Sequence, residues 1–357
     1  MQTNTDYNFL NQALVLANKC LGLCSPNPAV GCVLVNPDQK IVSQGYHLAA
    51  GQNHAEVNAL NNLTNANKNL TLYVTLEPCT HFGKTPPCVN AIIESKVITR
   101  VVYGYKDPNP LVNNKAKKIL QDNGIDCDYM PIPEIEKFYS AYSYWLKNKK
   151  PFVTAKIAIS LNGMIATEDS TSVKLTSNLI DEFTHQNRAV SDAILTTINT
   201  ILADDPQLNA RLGENTLKKK LYILDSKLRL PLDAQVFTTT QSITIFYSFD
   251  DENKELKLRK QGCKLIKVDR LQSAINLTSV LTHIGEDGIH SLWVEAGGKC
   301  FASFVNAKLL QKAFIYIAPK WINHGKIAFA NGFDKASLPG KKTYRQYGED
   351  ILCEINF

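Results

Sequence analysis

The stretch "HAEVNAL" at residues 54–60, read with "EPCTHFGKTPPC" at 77–88, decides how the first half of this chain is built. The first reads as a helix opening on His-x-Glu, and the second closes a strand, "LTLYVTLEP" (70–78), before another helical run, "CVNAIIES" (88–95). Strand and helix alternating at this spacing predict a mixed α/β sheet with helices packed on it. The same segments gather chemistry. His54, Cys79 and Cys88 supply three soft ligand atoms, and Glu56 is a carboxylate left off the set. Zinc held by three protein ligands keeps a fourth position for water, whose pKa the metal draws towards neutrality. Residues two apart point to different sides of a helix, so His54 and Glu56 share a metal only if it lies off the helix start.

An isolated cysteine is more often a buried thiol than a ligand. Cys20, Cys24, Cys32, Cys127, Cys263, Cys300 and Cys353 lack a motif around them and take that reading. His81, in the loop between the two candidate ligands, competes for the metal and is expected to line the site. The N-terminal "MQTNTDYNFLNQALVLANKC" reads as an amphipathic helix and not a signal peptide, so a cytoplasmic location and reduced thiols are expected.

The chain has 357 residues, 44% hydrophobic and 20% charged, which suits two folded domains. Their boundary is placed in the Lys-rich "KNKK" (147–150), giving residues 1–149 and 150–357. No apolar stretch approaches the roughly 18–20 residues of a membrane span. The net charge of +6 is spread thinly, which argues against nucleic-acid binding and suits phosphorylated small molecules. Before the His-x-Glu helix, "AVGCVLVN" (29–36) and "KIVSQGYH" (40–47) read as a hairpin, and "ITRVVYGY" (98–105) as a later strand. The second part opens on the strand "FVTAKIAISLNG" (152–163) and continues through short β-rich runs, again α/β. There, "SLWVEAGG" (291–298) is a strand running into a glycine pair and a helix, a place where backbone amides could approach a phosphate. Alone it is equally a tight turn, and it does not match the Gly-x-Gly-x-x-Gly fingerprint.

In order, "PNPAVGCVLV", "GYH", "HAEVNAL", "YVTLEPCTHFGKTPPC" and "KDPNP" resemble the deaminase half of the bifunctional riboflavin-biosynthesis deaminase/reductase family. The later stretches "KIAISLNGMIA", "SDAILTTINTILADDPQLNAR", "YILDS", "LWVEAGG" and "IYIAPK" resemble its reductase half. The resemblance implies a cytidine-deaminase-like N-terminal domain and a dihydrofolate-reductase-like C-terminal domain. It implies one Zn2+, with Glu56 shuttling protons as in zinc deaminases. The implied deaminase substrate is a diaminopyrimidinone bearing a ribosylamino 5′-phosphate, contacted by Asn27, His47, Lys84, Asp107 and Asn109. NADPH then reduces the ribosyl chain to ribityl in the second domain. Ser172, Arg188, Leu208, Arg211 and Glu295 are implied substrate contacts there, the arginines suiting a phosphate. Lys174, Thr200, Asp204, Ser226, Gly297, Gly298 and Lys299 are implied NADPH contacts. A homo-oligomer is also expected.

Two departures from the family pattern stand out. Asn162 occupies the usual Asp position of Ser-Leu-Asp-Gly, and Lys174-Leu175-Thr176 replaces Trp-Ile-Thr, removing an aromatic that could pack on the cofactor. Two other functions fit the metal motif: a nucleobase or nucleic-acid zinc deaminase with an accessory domain, and a non-catalytic zinc module. Nucleic-acid editing deaminases pair their cysteines as Pro-Cys-x-x-Cys, whereas eight residues separate Cys79 from Cys88 here. Structural zinc usually has four protein ligands, against three here.

Overall fold

The computed structural model describes residues 3–64, 67–83, 85–110, 114–168, 174–271, 274–329 and 338–357. Lys84 and Ser172 lie outside the described residues. The chain divides into two compact units, Met1–Lys149 and Lys150–Phe357.

In the first unit, α1 (Thr3–Asn18) precedes the hairpin β1 (Gly31–Val35) and β2 (Ile41–Tyr46). Then come α2 (Ala55–Asn61), β3 (Leu70–Val74), α3 (Cys88–Ser95), β4 (Ile98–Tyr103), α4 (Ala116–Asp122) and β5 (Asp126–Tyr129). The segment read as one closing helix is two, α5 (Pro133–Phe138) and α6 (Ser140–Asn148), meeting at Tyr139. The sheet order is β2-β1-β3-β4-β5. β1 pairs antiparallel with both neighbours, whereas β3, β4 and β5 run parallel. All five residues of β1 are buried, as expected of a strand covered on both faces.

Gly45 places α2. A Cβ there would lie 2.4 Å from both Ala55 O and Ala59 N, so only glycine lets α2 rest directly on β2. Gly45 pairs with Cys32, which puts α2 on the Cys32 face of the sheet, while Gly31, one residue earlier, faces α1 on the other. The start of α2 is thereby fixed over the C-terminal end of β3, where Cys79 follows.

The second unit begins with β6 (Phe152–Ser160), β7 (Met164–Thr167), α7 (Asn178–Val190), β8 (Ala193–Thr197) and α8 (Ile198–Asp204). A small hairpin, β9 (Ala210–Leu212) and β10 (Asn215–Leu217), leads to β11 (Lys220–Leu224), α9 (Val236–Thr239), β12 (Ser242–Tyr247) and α10 (Glu252–Lys260). β13 (Lys264–Lys267) is followed by the short strands β14 (Arg270–Leu271) and β15 (Ala274–Ile275), then α11 (Leu277–Glu286), β16 (Ser291–Glu295) and α12 (Gly298–Asn306). β17 (Lys312–Ala318), β18 (Gly325–Ile327), β19 (Lys341–Tyr347) and β20 (Asp350–Asn356) complete it.

Among the described residues nine strands form one sheet, β13-β12-β11-β8-β16-β6-β17-β20-β19, parallel through β17 with an antiparallel edge at β20 and β19. β19 is almost wholly exposed and reads "KKTYRQY", a charged edge that discourages further pairing. Alternation along the strands divides two cores. Val153, Ala155, Ile157, Leu292 and Val294 pack with Ile284 of α11 and Phe304 of α12. Ile194, Trp293, Phe314 and Tyr316 pack with Ile180 of α7 and Ile201 of α8 on the other face. The carboxyl ends of adjacent β11, β8 and β16 run directly into Ser226, Thr200 and Gly297-Gly298-Lys299, so these residues share the sheet edge where parallel α/β folds bind ligands.

Candidate active site

His54 caps α2 in an extended conformation, and its ring makes no capping bond to the helix. It turns instead to the cysteines, with Nδ1 3.1 Å from Cys88 Sγ and 3.5 Å from Cys79 Sγ. The sulfurs lie 3.4 Å apart, and the Cys88 backbone N–H donates to Cys79 Sγ at 3.2 Å. Tetrahedral zinc, with bonds of about 2.3 Å to sulfur and about 2.0 Å to nitrogen, separates two sulfurs by about 3.8 Å and sulfur from nitrogen by about 3.5 Å. The three atoms therefore form one slightly contracted face of a zinc tetrahedron. Hydrogen bonds from Cys88 and His54, working against burial, draw the Cys79 thiol down to about 4, so a thiolate is ready there. The donor set fits zinc.

His54 Nε2 lies 3.3 Å from Thr85 Oγ1, the kind of outer partner that fixes a ligand ring's orientation. Among the described residues, the metal-competent cluster is His54, Cys79 and Cys88, and His81 stands outside it. His81 lines the same cavity, and its Nδ1 is buried without a hydrogen-bond partner.

Glu56 is 3% exposed. Burial pushes its carboxyl up to about 6, against the pull of His54, and its side chain meets that of Cys88. A carboxyl of that pKa can both take and return a proton near neutrality. His47 Nδ1–H donates to Asn53 O at 3.1 Å, leaving Nε2 to accept from Asn27 Nδ2 at 3.2 Å. Burial lowers the His47 pKa, so the neutral ring is favoured.

These groups open on a cavity of about 270 Å³ lined by Asn27, His47, Glu56, Cys79, Asp107 and Asn109, among others. Glu77 of the Glu-Pro-Cys motif lines the same cavity but is 2% exposed, and both its oxygens are engaged by backbone: Oε2 accepts from the N–H of Asp107 and Asn114, Oε1 from that of Ala116. It braces the loop that presents Asp107 and Asn109.

In the second unit the centre is Glu295. Arg188 Nε and Nη2 donate to its two oxygens at 2.5 and 2.8 Å, and Trp293 Nε1 donates to Oε1 at 2.6 Å. Lys156 Nζ lies 3.7 Å from Oε2. Burial opposes ionisation here, but Arg188 and Lys156 outweigh it and hold the carboxyl well below the usual carboxylate range. Arg211 is exposed, and its side chain donates to the neutral amides of Gln207 (3.1 Å) and Asn209 (2.8 Å). Leu208 is buried at φ +47°, a left-handed conformation uncommon for a bulky residue. Gly297 is exposed at the N-cap of α12, and a Cβ on it would meet open space. A Cβ on Gly298 would lie 1.4 Å from Ala328 O, so this glycine is required by backbone packing.

The family described as the RibD C-terminal domain matches residues 151–353, and the cytidine and deoxycytidylate deaminase zinc-binding region matches residues 3–105. The chain is 36% identical over 351 residues to the riboflavin biosynthesis protein RibD of Aquifex aeolicus, covering 97% of each. The chain belongs to the RibD family. RibD of Escherichia coli is 34% identical over 327 residues, 88% of each chain. RibD of Acinetobacter baumannii superposes with a TM-score of 0.86 at 29% identity, covering 100% of this chain and 99% of that one. A deaminase/reductase of Thermotoga maritima gives 0.84 at 30% identity, with the same coverage. Like other RibD proteins, the chain is thus a bifunctional deaminase and reductase of riboflavin biosynthesis, with a zinc-binding deaminase domain and a reductase domain that uses NADPH.

The two departures from the RibD pattern have structural explanations. Asn162 Oδ1 accepts from Ile322 N at 3.2 Å, and its Nδ2 donates to Ile322 O at 2.8 Å. An amide matches both halves of that backbone residue, which an ionised Asp could not. Lys174, which the sequence suggested for the cofactor, points its ammonium at α7, 2.8 Å from Asn178 Oδ1 and 3.3 Å from Asp181. Leu175 is buried against Ala318 and Ile322. Arg188 likewise spends its fork on Glu295, so two residues expected to touch substrate are each other's partners. Thr85, Glu77, Tyr142, Trp145 and Leu146 reach the site without having been singled out in the sequence. The aromatic spacing along 139–145 was the available signal for Tyr142 and Trp145.

Proposed function

We propose that residues 1–149 catalyse zinc-dependent hydrolytic deamination of 2,5-diamino-6-(5-phospho-ribosylamino)pyrimidin-4(3H)-one, and that residues 150–357 then reduce the ribosyl side chain to ribityl with NADPH. The observation that carries the first step is the His54, Cys79, Cys88 triangle with Glu56 buried beside it at one cavity. When bound, zinc supplies Lewis acidity that makes water nucleophilic at neutral pH. The Glu56 carboxylate takes one proton from the attacking water and passes it to the ring nitrogen, then takes the second from the hydroxyl so added and passes it to the departing amine. One C–O bond forms, one C–N bond breaks, and ammonia leaves. Asn27, its Nδ2 committed to His47, keeps Oδ1 to accept from the substrate.

In the reductase, NADPH supplies the hydride when bound. Arg211, whose described partners are neutral, is the better candidate for the substrate phosphate, with Arg188 and Glu295 forming the floor. Thr200, Asp204, Ser226, Gly297, Gly298 and Lys299 are proposed to hold NADPH at the strand ends. The nine free cysteines support a cytosolic setting. We place the chain there as a homo-oligomer acting on a phosphorylated small molecule, without nucleic-acid or membrane partners; light scattering of the purified chain tests the assembly.

The deciding experiment supplies the diaminopyrimidinone ribosyl phosphate with and without NADPH. Ammonia release and loss of nicotinamide absorbance are followed separately. Both signals are expected, the second only with NADPH. Ammonia without NADPH oxidation overturns the reductase assignment, and neither signal overturns both.

A further inference from the structure

Helix α6 lies outside the motifs that mark the deaminase, yet it supplies one wall of the deaminase cavity through Tyr142, Trp145 and Leu146. Their spacing of three and four residues puts them on one helical face. Tyr142 is 7% exposed, and its phenolic O–H donates to Asp107 Oδ1 at 3.3 Å. The backbone N–H of Asn109 donates to the same oxygen at 2.9 Å, so Oδ1 is engaged from two sides and the plane of the carboxyl is set. Trp145 is half-buried, with its ring stacked on Tyr142 at 6.3 Å between centroids and 27° between planes. An aromatic face beside a held carboxylate is the pairing that recognises a hydroxylated ring: the face takes the C–H side, and the carboxylate accepts from hydroxyls.

We infer that α6 is a specificity element of the deaminase, with Tyr142 positioning Asp107 to accept from the substrate's sugar hydroxyls and Trp145 packing against the substrate. This rests on the deaminase reading above. It predicts that the enzyme separates pyrimidines carrying a hydroxylated substituent from bare ones through α6, while the metal site performs the chemistry on either.

The electrostatics agree. Burial pushes Asp107 up to about 6, the Asn109 N–H and the Tyr142 O–H pull it back, Glu77 raises it and His81 lowers it. These come from the loop itself, from α6, from the end of β3 and from the loop between the cysteines. A depressed contribution is lost when Tyr142 loses its hydroxyl, so Asp107 then becomes protonated at higher pH.

The test measures ammonia release by Tyr142→Phe, Trp145→Phe and Trp145→Ala, with the phosphoribosylamino substrate and with the same diaminopyrimidinone lacking the sugar. Tyr142→Phe is expected to raise KM for the full substrate about tenfold, as for one hydrogen bond to a charged acceptor. Its kcat stays within about twofold, its acid limb in kcat/KM moves to higher pH, and turnover of the bare ring is unchanged. Trp145→Ala raises KM more, and Trp145→Phe restores most of it. Unchanged KM in Tyr142→Phe, or equal losses on both substrates at every pH, overturns the inference. A wild-type chain that releases no ammonia overturns the deaminase reading itself, a distinguishable result.

Discussion

Replacing Glu295 with Gln removes one charge from a site that holds three charged groups. Arg188, its side chain only 12% exposed, would then lose its counter-charge and one of the two bonds at 2.5 and 2.8 Å, because a Gln amide keeps one acceptor oxygen and turns a donor NH2 to the other. Removing one partner of a buried ion pair costs about 3–5 kcal/mol, because the remaining charge is left without water or counter-ion. In a unit of this size, each 1 kcal/mol moves the melting temperature by about 2–4 °C, so a fall of roughly 6–20 °C is expected. The assay is calorimetry of the full chain, the reductase transition being the one that NADPH raises in the parent protein. Arg188→Met combined with Glu295→Met should recover part of the loss, since the buried guanidinium is gone and the charge left without the carboxylate is that of the more exposed Lys156. The pH dependence has a definite sign. The Glu295 carboxyl is held below its ordinary value, so its contribution is complete above about pH 4.3 and declines as pH falls through the folded value. A Glu295→Gln protein that melts within about 1 °C of the parent at pH 7 would refute the reasoning.

Glu56→Gln should lower ammonia release by about 10²–10⁴-fold, the range of general acid–base catalysis, with zinc content unchanged by metal analysis; full activity would remove Glu56 from the mechanism. Thr85→Val strips the hydroxyl from His54 Nε2 and should weaken zinc binding about 10–100-fold in chelator competition. Gly298→Ala puts a Cβ 1.4 Å from Ala328 O, so α12 or the Ala328 segment must move. NADPH oxidation should fall sharply in that variant while ammonia release persists, and an unaffected reductase would show that the strand-end geometry tolerates displacement.

The metal-competent cluster of His54, Cys79 and Cys88 was legible because each residue sits inside a short local pattern: a helix start, a strand end and the next helix start. Ligand chemistry is a property of the residue type, and α3 spans the same eight residues read as a helical run in the sequence. The β1 and β2 hairpin was legible for the same reason, as strand alternation and a turn are neighbours in the chain. α5 and α6 were harder to separate, since the break at Tyr139 is set by packing and not by proline or glycine. Tyr139 is 1% exposed, and its hydroxyl bonds Thr75 Oγ1 and Ala29 O, residues from distant segments.

The sequence by itself determined the two-part α/β organisation and named the residues of the metal-competent cluster, because these depend on residue type and on spacing within a few turns of chain. Only the tertiary structure decided what stands around them. The Arg188–Glu295 pair joins residues 107 apart, and Asn162 meets Ile322 across 160. Glu77 turned out to brace the loop of Asp107, and α6 turned out to wall the cavity. The physical reason is that a hydrogen bond or an ion pair depends on distance in space, and distance in space is set only once the sheets have closed.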